Sequence, residues 1–284
     1  MSSLPRPNPT EPGHQARDNR MWPAPVEESA PPSWQLEYFD GSLKERQKLA
    51  LLLRLLGELE GRNCLLVACG PNTGALNFHL RAAGGEWAWT ETDPGQIAET
   101  RALLGEPVKL VSPTLLPFPD ESFQRIVVLD GHRTGEDHPA LFGEFQRLLT
   151  PGGRAVACTP NGNNHLPFRL LERWLGPTPD LSTPSRDGQP ESRSGDPGRW
   201  PRTRGLRHRE LEALALSVGL QPETRGACSR FFSEAVEWIR LRRRAGRSVL
   251  PPPSRLSRLT AALDHLMIGG GGYSVAISMR KSDG

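Results

Sequence analysis

Residues 63–93 place an apolar strand, a glycine-containing turn, a helix and a second strand that ends in acidic residues in direct succession. The first strand, Cys64–Ala68, is continuously apolar, and Gly70 and Gly74 bound the turn that follows it. A strand that breaks at glycine and continues as a helix directs backbone N–H groups into a crevice at the carboxyl end of a parallel sheet. An acid that closes the second strand, here Glu91, can bind a ribose diol. This succession predicts a site for a nucleotide-type cofactor.

The chain continues with further strands and helices in alternation. Residues 126–129 are continuously apolar, which is typical of a strand buried on both faces of a parallel sheet. Residues 140–149 carry apolar side chains at helical spacing, and residues 151–153, Pro-Gly-Gly, are expected to end that helix. Alternating elements of these lengths predict right-handed βαβ units, so the expected fold class is α/β, with a doubly wound, Rossmann-like sheet.

Two segments in this order resemble those of one protein family. Residues 116–123 read Leu-Pro-Phe-Pro-Asp-Glu-Ser-Phe, and residues 144–153 read Glu-Phe-Gln-Arg-Leu-Leu-Thr-Pro-Gly-Gly. Together they resemble the class I S-adenosylmethionine-dependent methyltransferases, in the type 11-like branch, over residues 51–161 and again from residue 208. The resemblance implies seven strands, six parallel and one antiparallel. It also implies a methyltransferase enzyme with S-adenosyl-L-methionine as its cofactor.

The same resemblance implies which residues meet the cofactor and the acceptor. In the polar loop after the fourth strand, His132 is the candidate general base, because a neutral imidazole can accept a proton near physiological pH. The alternative is a solvated loop histidine without a catalytic role. Methyl transfer depends mainly on placement of the acceptor, so no conspicuous catalytic triad is expected. The candidate cofactor-binding residues are Cys69, Gly70, Asn72, Gly74, Glu91, Ser112, Leu115 and Asp130.

The glycine turn departs from the family pattern. Where family members have an acid and the first and third glycines, this chain has Leu66, Ala68 and Asn72, and among those glycines only Gly70 is retained. The family's acid helps to hold the amino group of the cofactor, so its loss is expected to weaken binding of the methionine end. Alanine and asparagine can still be accommodated, because alanine is small and asparagine tolerates positive φ.

Other departures leave alternatives open. Ser112 stands where the family has an acid or amide for the adenine amine, and Asp93 is a second ribose-binding candidate beside Glu91. The favoured function is therefore methyl transfer, and the first alternative is a non-catalytic methyltransferase-like protein that binds or scaffolds a partner. A nicotinamide-dependent oxidoreductase is disfavoured, because residues 116–123 and 144–153 have no role in such an enzyme.

Length and composition set the domain organisation. A chain of 284 residues with 36% hydrophobic content can bury one α/β core without disulfides. We expect a disordered tail over residues 1–32 and a single methyltransferase domain over residues 33–284, with residues 161–207 and 229–268 as insertions that cap it.

Cysteine spacing and hydropathy bear on location. The four cysteines lack a metal-binding spacing, so we expect reduced thiols and no metal site. The sequence shows neither a signal peptide nor an apolar run of membrane-spanning length, and these features predict a cytoplasmic protein.

Positive charge is concentrated in the second half of the chain. Residues 161–258 contain 18 arginines, no lysine and 10 acidic residues, whereas the whole chain has a net charge of +3. The densest stretch is Arg230–Arg247, and it leaves three interpretations open. It could contact an anionic membrane surface, it could bind an acidic acceptor, or it could be a helix packed on the core with a solvated basic end. Nucleic-acid binding is not favoured, because the chain is near neutral and has no recognised RNA-binding module. The expected acceptor is a small molecule or a lipid-type compound.

Overall fold

The described residues form a seven-stranded sheet covered by helices. A computed structural model describes residues 34–69, 74–130, 137–162, 205–229 and 272–283, together with scattered positions between 232 and 266. In chain order the elements are α1 (Trp34–Gly41), α2 (Leu43–Leu56), β1 (Asn63–Ala68), α3 (Gly74–Ala82), β2 (Glu86–Glu91), α4 (Pro94–Leu104), β3 (Val108–Leu110), β4 (Phe123–Leu129), α5 (His138–Leu148), β5 (Leu149–Pro160), α6 (His208–Ser217), β6 (Gln221–Cys228), a 3-10 helix (Leu263–Leu266) and β7 (Ser274–Arg280).

The strand order places a ligand crevice at the centre of the sheet. The strands lie in the order β3-β2-β1-β4-β5-β7-β6, and only β7 among them runs antiparallel to its neighbours. The direction of strand progression reverses between β1 and β4, and ligands of open α/β sheets bind beyond the carboxyl ends of the strands at such a point. The predicted fold class, with six parallel strands and one antiparallel strand, is confirmed.

Both faces of the sheet are buried, as the continuously apolar strands predict. Leu66 and Val127 pack beneath the layer formed by α1 to α4. Leu65 and Ile126, their neighbours along β1 and β4, pack beneath α5 and α6 on the opposite face. Successive side chains of a strand point to opposite faces, so one apolar run supplies two cores.

Helix α2 has well-defined ends. At its start, the Ser42 hydroxyl accepts a hydrogen bond from the Glu45 N–H at 3.2 Å, as an N-cap does. At its end, Gly57 takes a φ of 71°, which glycine adopts without steric cost. The helix ends at Leu56 because the chain turns at Gly57.

The structure corrects the predicted boundary between α5 and β5. Residues 151–153, expected to follow the helix, lie inside β5, which begins at Leu149 rather than at Arg154. Leu149 pairs with Phe123 of β4, and Gly152 N–H donates to Lys281 O, beyond β7, at 3.1 Å. The proline and glycines therefore form an irregular start of β5, where the register against β4 shifts between Phe123 and Arg125.

Several sequence predictions fall on residues outside the described ranges. They are the tail over residues 1–32, residues 163–204 of the first insertion, and most of the arginine-rich stretch 230–247. These predictions stay as they are.

Candidate functional site

Three of the predicted cofactor residues meet at the carboxyl ends of adjacent strands. Cys69 follows β1, Glu91 ends β2 and Asp130 follows β4. Main-chain hydrogen bonds join these ends: Cys69 N–H donates to Leu129 O at 3.0 Å, and Asp130 N–H donates to Cys158 O at 2.9 Å. The crevice edge is thus a continuous hydrogen-bonded surface from β2 to β5.

The Glu91 carboxylate is fixed before any ligand binds. Its side chain is 1% exposed, and Oε1 accepts hydrogen bonds from the N–H groups of Thr92 at 2.8 Å and Asp93 at 3.1 Å. These two donors hold the carboxylate in one orientation. A buried, oriented carboxylate at the end of β2 is suited to accept hydrogen bonds from vicinal hydroxyl groups.

Asp93 has a different structural role. Its Oδ1 accepts a hydrogen bond from Gly95 N–H at 2.9 Å, so Asp93 caps the N-terminus of α4, with Pro94 as the first helical residue. This geometry favours Glu91 over Asp93 as the ribose-binding acid.

Gly74 leaves room for a side chain that the sequence does not reveal as part of the site. A Cβ on Gly74 would overlap Oε1 of Gln35, which lies in α1 and is 4% exposed. The Gln35 amide nitrogen donates to Glu99 Oε2 at 3.0 Å, whereas Oε1 is buried without a hydrogen-bond partner among the described residues. Gln35 thus places an unsatisfied acceptor at the start of α3, next to the predicted cofactor turn.

Ser112 and Leu115 form a small turn next to β3. The Ser112 hydroxyl lies 2.9 Å from the Thr114 hydroxyl, and Ser112 pairs with Leu115 in an isolated bridge. Leu115 is 71% exposed, and the turn is tied to the site because Val111 N–H donates to Glu91 O at 3.0 Å. An exposed leucine in the turn after β3 provides an apolar surface for a planar ring.

Asp130 adopts a left-handed backbone conformation with a φ of 55°. Aspartate tolerates this conformation better than most residues. The chain therefore leaves β4 abruptly at Asp130. Gly70, Asn72 and His132 themselves lie outside the described residues, so their roles stay predictions.

Lys48 is a second buried polar residue that sequence reasoning missed. It lies in α2 and is 8% exposed, and its Nζ lies 3.8 Å from Glu45 Oε2. Burial disfavours its charged form, but the nearby carboxylates of Glu45 and then Asp130 outweigh burial and hold the pKa of Lys48 well above its usual value. The signal in the sequence is its spacing, because Lys48 lies one turn before Leu52 on the apolar face of α2.

A cavity of about 650 Å³ lies between α2 and β6. It begins near the carboxyl end of β6, and it combines apolar residues with arginine and histidine. Its lining residues are Gln47, Ala50, Leu51, Arg54, His208, Arg225, Gly226, Ala227, Cys228, Ser229 and Asp264.

Comparison with known proteins identifies the domain. Residues 65–157 match the sequence model of the family described as "Methyltransferase domain". Over these residues the chain is similar to the methyltransferase domain family. The predicted family is confirmed, and the match covers β1 to β5, which carry most of the site.

The curated relatives of the methyltransferase domain have one activity in their names. Over 118 residues the chain is 32% identical to a demethylmenaquinone methyltransferase of Thermus thermophilus, which covers 38% of this chain and 54% of the relative. Over 45 residues it is 47% identical to a demethylmenaquinone methyltransferase of a Mycobacterium species, covering 16% of this chain and 20% of the relative. The chain thus spans about half the length of the first relative.

Solved structures similar to the methyltransferase domain share its fold at low sequence identity. The [4+2]-cyclase SpnF matches with a TM-score of 0.52 and 17% identity, over 84% of this chain and 82% of that chain. A geranyl diphosphate C-methyltransferase of Streptomyces coelicolor, solved with S-adenosyl-L-homocysteine, matches with a TM-score of 0.50 and 15% identity, over 84% and 76%. A cyclase and a methyltransferase on one fold illustrate that the site, not the fold, determines the reaction.

The described residues lack the features of a membrane span and of a clustered metal site. Within the described ranges, no helix combines the length and apolar character needed to span a bilayer. Among those same residues, no group of three or more His, Cys, Asp or Glu side chains could hold a metal ion.

Proposed function

We propose that this chain binds S-adenosylmethionine and transfers its methyl group to a small-molecule or lipid-type acceptor. The observation that carries the proposal is the Glu91 carboxylate, buried at the end of β2 and oriented by two backbone N–H groups. The fit of the cofactor is supported by an oriented acid at the end of β2, the start of α3 after β1, and the exposed apolar surface of Leu115 after β3. The match of residues 65–157 to the methyltransferase family supports the same conclusion.

The chain would promote methyl transfer mainly by positioning the cofactor and the acceptor relative to one another. When bound, S-adenosylmethionine supplies a methyl group that its sulfonium centre already activates. Glu91 would hold the ribose hydroxyls, Leu115 would cover the adenine ring, and Asp130 would mark the side from which the acceptor approaches. His132 remains the candidate to take a proton from the acceptor.

An aromatic or quinone-like acceptor agrees best with the relatives and with the cavity. The curated relatives are named for demethylmenaquinone, a quinone with an apolar tail. A cavity of about 650 Å³ next to β6 lies within the size range that accommodates small organic ligands. We propose further that residues 33–284 act as one domain in the cytoplasm. Contact of Arg230–Arg247 with an anionic membrane would give access to a lipid-type acceptor.

One observation favours the alternative of a non-catalytic binding protein. Leu66, at the position of the family's acid, is fully buried in the core beneath α1 to α4. An acidic side chain that could hold the amino group of the cofactor is therefore missing at that position. This alternative predicts a folded chain with very weak affinity for S-adenosylmethionine.

A transfer assay tests the proposal. The purified chain is incubated with S-adenosylmethionine and naphthohydroquinones with and without an apolar tail, and S-adenosylhomocysteine and methylated product are measured by mass spectrometry. We expect stoichiometric formation of both compounds, reduced by Glu91→Gln. If S-adenosylmethionine binds but no acceptor is methylated, the acceptor class is wrong. If the cofactor does not bind, the non-catalytic alternative holds.

A further inference from the structure

Lys48 is buried at a place where burial of a cation is costly. Helix α2 packs across β5, β6 and β7, and Lys48 lies on its buried face together with Leu52 and Leu55. The helix is anchored at its far end, where Arg125 Nε donates to Leu56 O at 2.9 Å. Lysine is almost never fully buried unless it is paired, because an unpaired buried charge is strongly unfavourable.

The partners of Lys48 do not use its hydrogen-bonding capacity. The nearest carboxylate oxygen, Oε2 of Glu45, lies 3.8 Å from Nζ, which is beyond hydrogen-bond distance. Nζ donates no hydrogen bond to any residue in the described part of the chain, although an ammonium group has three donors. Lys44, one turn earlier, differs, since its Nζ lies 3.2 Å from the centroid of the Tyr273 ring.

The surroundings of Lys48 place it on the acceptor side of the crevice. The preceding residue, Gln47, accepts a hydrogen bond through Oε1 from Ser229 N–H at 2.9 Å, directly after the carboxyl end of β6. The electrostatic neighbours of Lys48 include Asp130, Cys158 and Cys228, at or near the carboxyl ends of β4, β5 and β6. Cys228 also lines the 650 Å³ cavity. Since Glu91 and Cys69 mark the cofactor at the ends of β2 and β1, an acceptor has to approach from the side of β4 and β5. Lys48 faces that side.

We propose that Lys48 binds the acceptor, and that the acceptor presents an ionised oxygen, as a phenolate or enolate does, to its ammonium group. This inference rests on the proposed function and narrows its substrate class. A buried ammonium group stabilises an oxyanion far better than water-exposed charge does, so it increases the ionised fraction of an acidic hydroxyl group.

The proposed reaction moves one methyl group from the sulfur of S-adenosylmethionine to the acceptor. The hydroxyl proton of the acceptor leaves to a base or to solvent, and the oxyanion raises the electron density at oxygen and at the adjacent ring carbon. The new bond forms between one of these atoms and the methyl carbon while the carbon–sulfur bond breaks. The electron pair of that bond stays on sulfur, giving the neutral thioether S-adenosylhomocysteine, and a methylated ring carbon finally loses its proton.

A chromogenic phenol tests the proposal without knowledge of the natural acceptor. The probe is para-nitrophenol, whose ionised form absorbs visible light, and its matched neutral analogue is para-nitroanisole. Both are titrated into the full chain saturated with S-adenosylhomocysteine, at a pH where the free phenol is mostly neutral. The variants are Lys48→Met, Lys48→Arg and, as the control one turn away, Lys44→Met.

We expect the wild-type chain to bind para-nitrophenol in its ionised form. Lys48→Met should weaken that binding about tenfold to a hundredfold, the range for hydrogen bonds to charged groups, and Lys48→Arg should keep most of it. Lys44→Met and the affinity for para-nitroanisole should change little. S-adenosylhomocysteine should bind all variants equally, and its failure to bind the wild type would instead count against the proposed function.

Three results overturn the inference about Lys48. They are a phenol that binds in its neutral form, a phenol that binds Lys48→Met as tightly as the wild type, and a wild-type chain that binds S-adenosylhomocysteine but not the phenol. The spectrum of the bound probe is read on the wild type, so the test stands even if Lys48→Met does not fold.

Discussion

Arg147 and Asp120, 27 positions apart in the chain, are joined by an ion pair of 2.7 Å between Nη1 and Oδ1. The same guanidinium donates to Phe118 O at 2.9 Å and to Leu116 O at 3.0 Å, and Glu144 Oε2 accepts from Leu116 N–H at 2.7 Å. The two segments that carry the family resemblance therefore bind one another. Arg147 and Glu144 of α5 fix the segment before β4, and with it the strand that leads to Asp130.

Loss of the Arg147 clamp should destabilise the domain. Arg147→Met leaves two main-chain carbonyls without this donor and leaves Leu116 N–H as the one remaining donor to Glu144 among the hydrogen bonds described above. We expect a loss of about 2–3 kcal/mol in the free energy of unfolding. Arg147→Lys should recover only part of it, because lysine lacks the planar fork. Urea unfolding measures the effect, and Arg280→Gln, which breaks an exposed pair with Asp283, should change stability by less than about 0.5 kcal/mol. Equal effects at Arg147 and Arg280 would contradict the clamp.

The clamp should also make stability depend on pH. Burial raises the pKa of Glu144, but hydrogen bonds from Arg147 and Leu116 N–H outweigh burial and hold that pKa below its usual value. A depressed carboxyl pKa contributes stability above the unfolded-state pKa of about 4.3, and this contribution is lost as pH falls through the lower, folded-state value. The free energy of unfolding should therefore fall more between neutral and acidic pH for the wild type than for Glu144→Gln. A parallel pH dependence of the two proteins would show that Glu144 does not contribute.

Two glycines should respond in opposite directions to the same substitution. A Cβ on Gly205 would overlap the carbonyl oxygen of Pro160, where the chain rejoins the sheet edge, so Gly205→Ala should lower the melting temperature. A Cβ on Gly143, within α5, meets no atom within 4 Å, and Gly143→Ala should stabilise the helix by about 0.5–1 kcal/mol. Calorimetric melting of both variants checks the pair. Equal shifts would mean that the close approach at Gly205 is not maintained.

The four thiols should be unreactive in the folded chain. All four cysteines are buried, and burial raises the pKa of Cys64 to about 12. The thiolate is the reactive form, so a disulfide reagent such as dithionitrobenzoate should label the native protein very slowly and all four cysteines rapidly in denaturant. Rapid labelling of the native protein would indicate a core more open than the one described here.

The order of strands and helices could be predicted from sequence, because buried parallel strands and amphipathic helices have distinct apolar patterns. Positions at the carboxyl ends of strands, such as Glu91 and Asp130, follow from that order. Contacts between segments that are distant in the chain cannot be predicted from that order. Gln35 meets Gly74 only because α1 folds over the start of α3, and the donors of Arg147 meet Leu116 only once β4 and α5 are packed. From the sequence, a lysine in a helix with many charged residues is expected to be solvated. The spacing of Lys48 from Leu52 nevertheless places it on the buried face of α2.

Calorimetric titration with S-adenosylhomocysteine and S-adenosylmethionine tests the central claim most directly. The wild-type chain should bind both with an affinity on the order of micromolar. Glu91→Gln should weaken binding about tenfold or more, because it removes a charged acceptor from the ribose hydroxyls, whereas Asp93→Asn should change the affinity little. A correctly folded wild-type chain that binds neither compound, or a Glu91→Gln variant that binds as well as the wild type, would contradict the assignment of this crevice as the cofactor site.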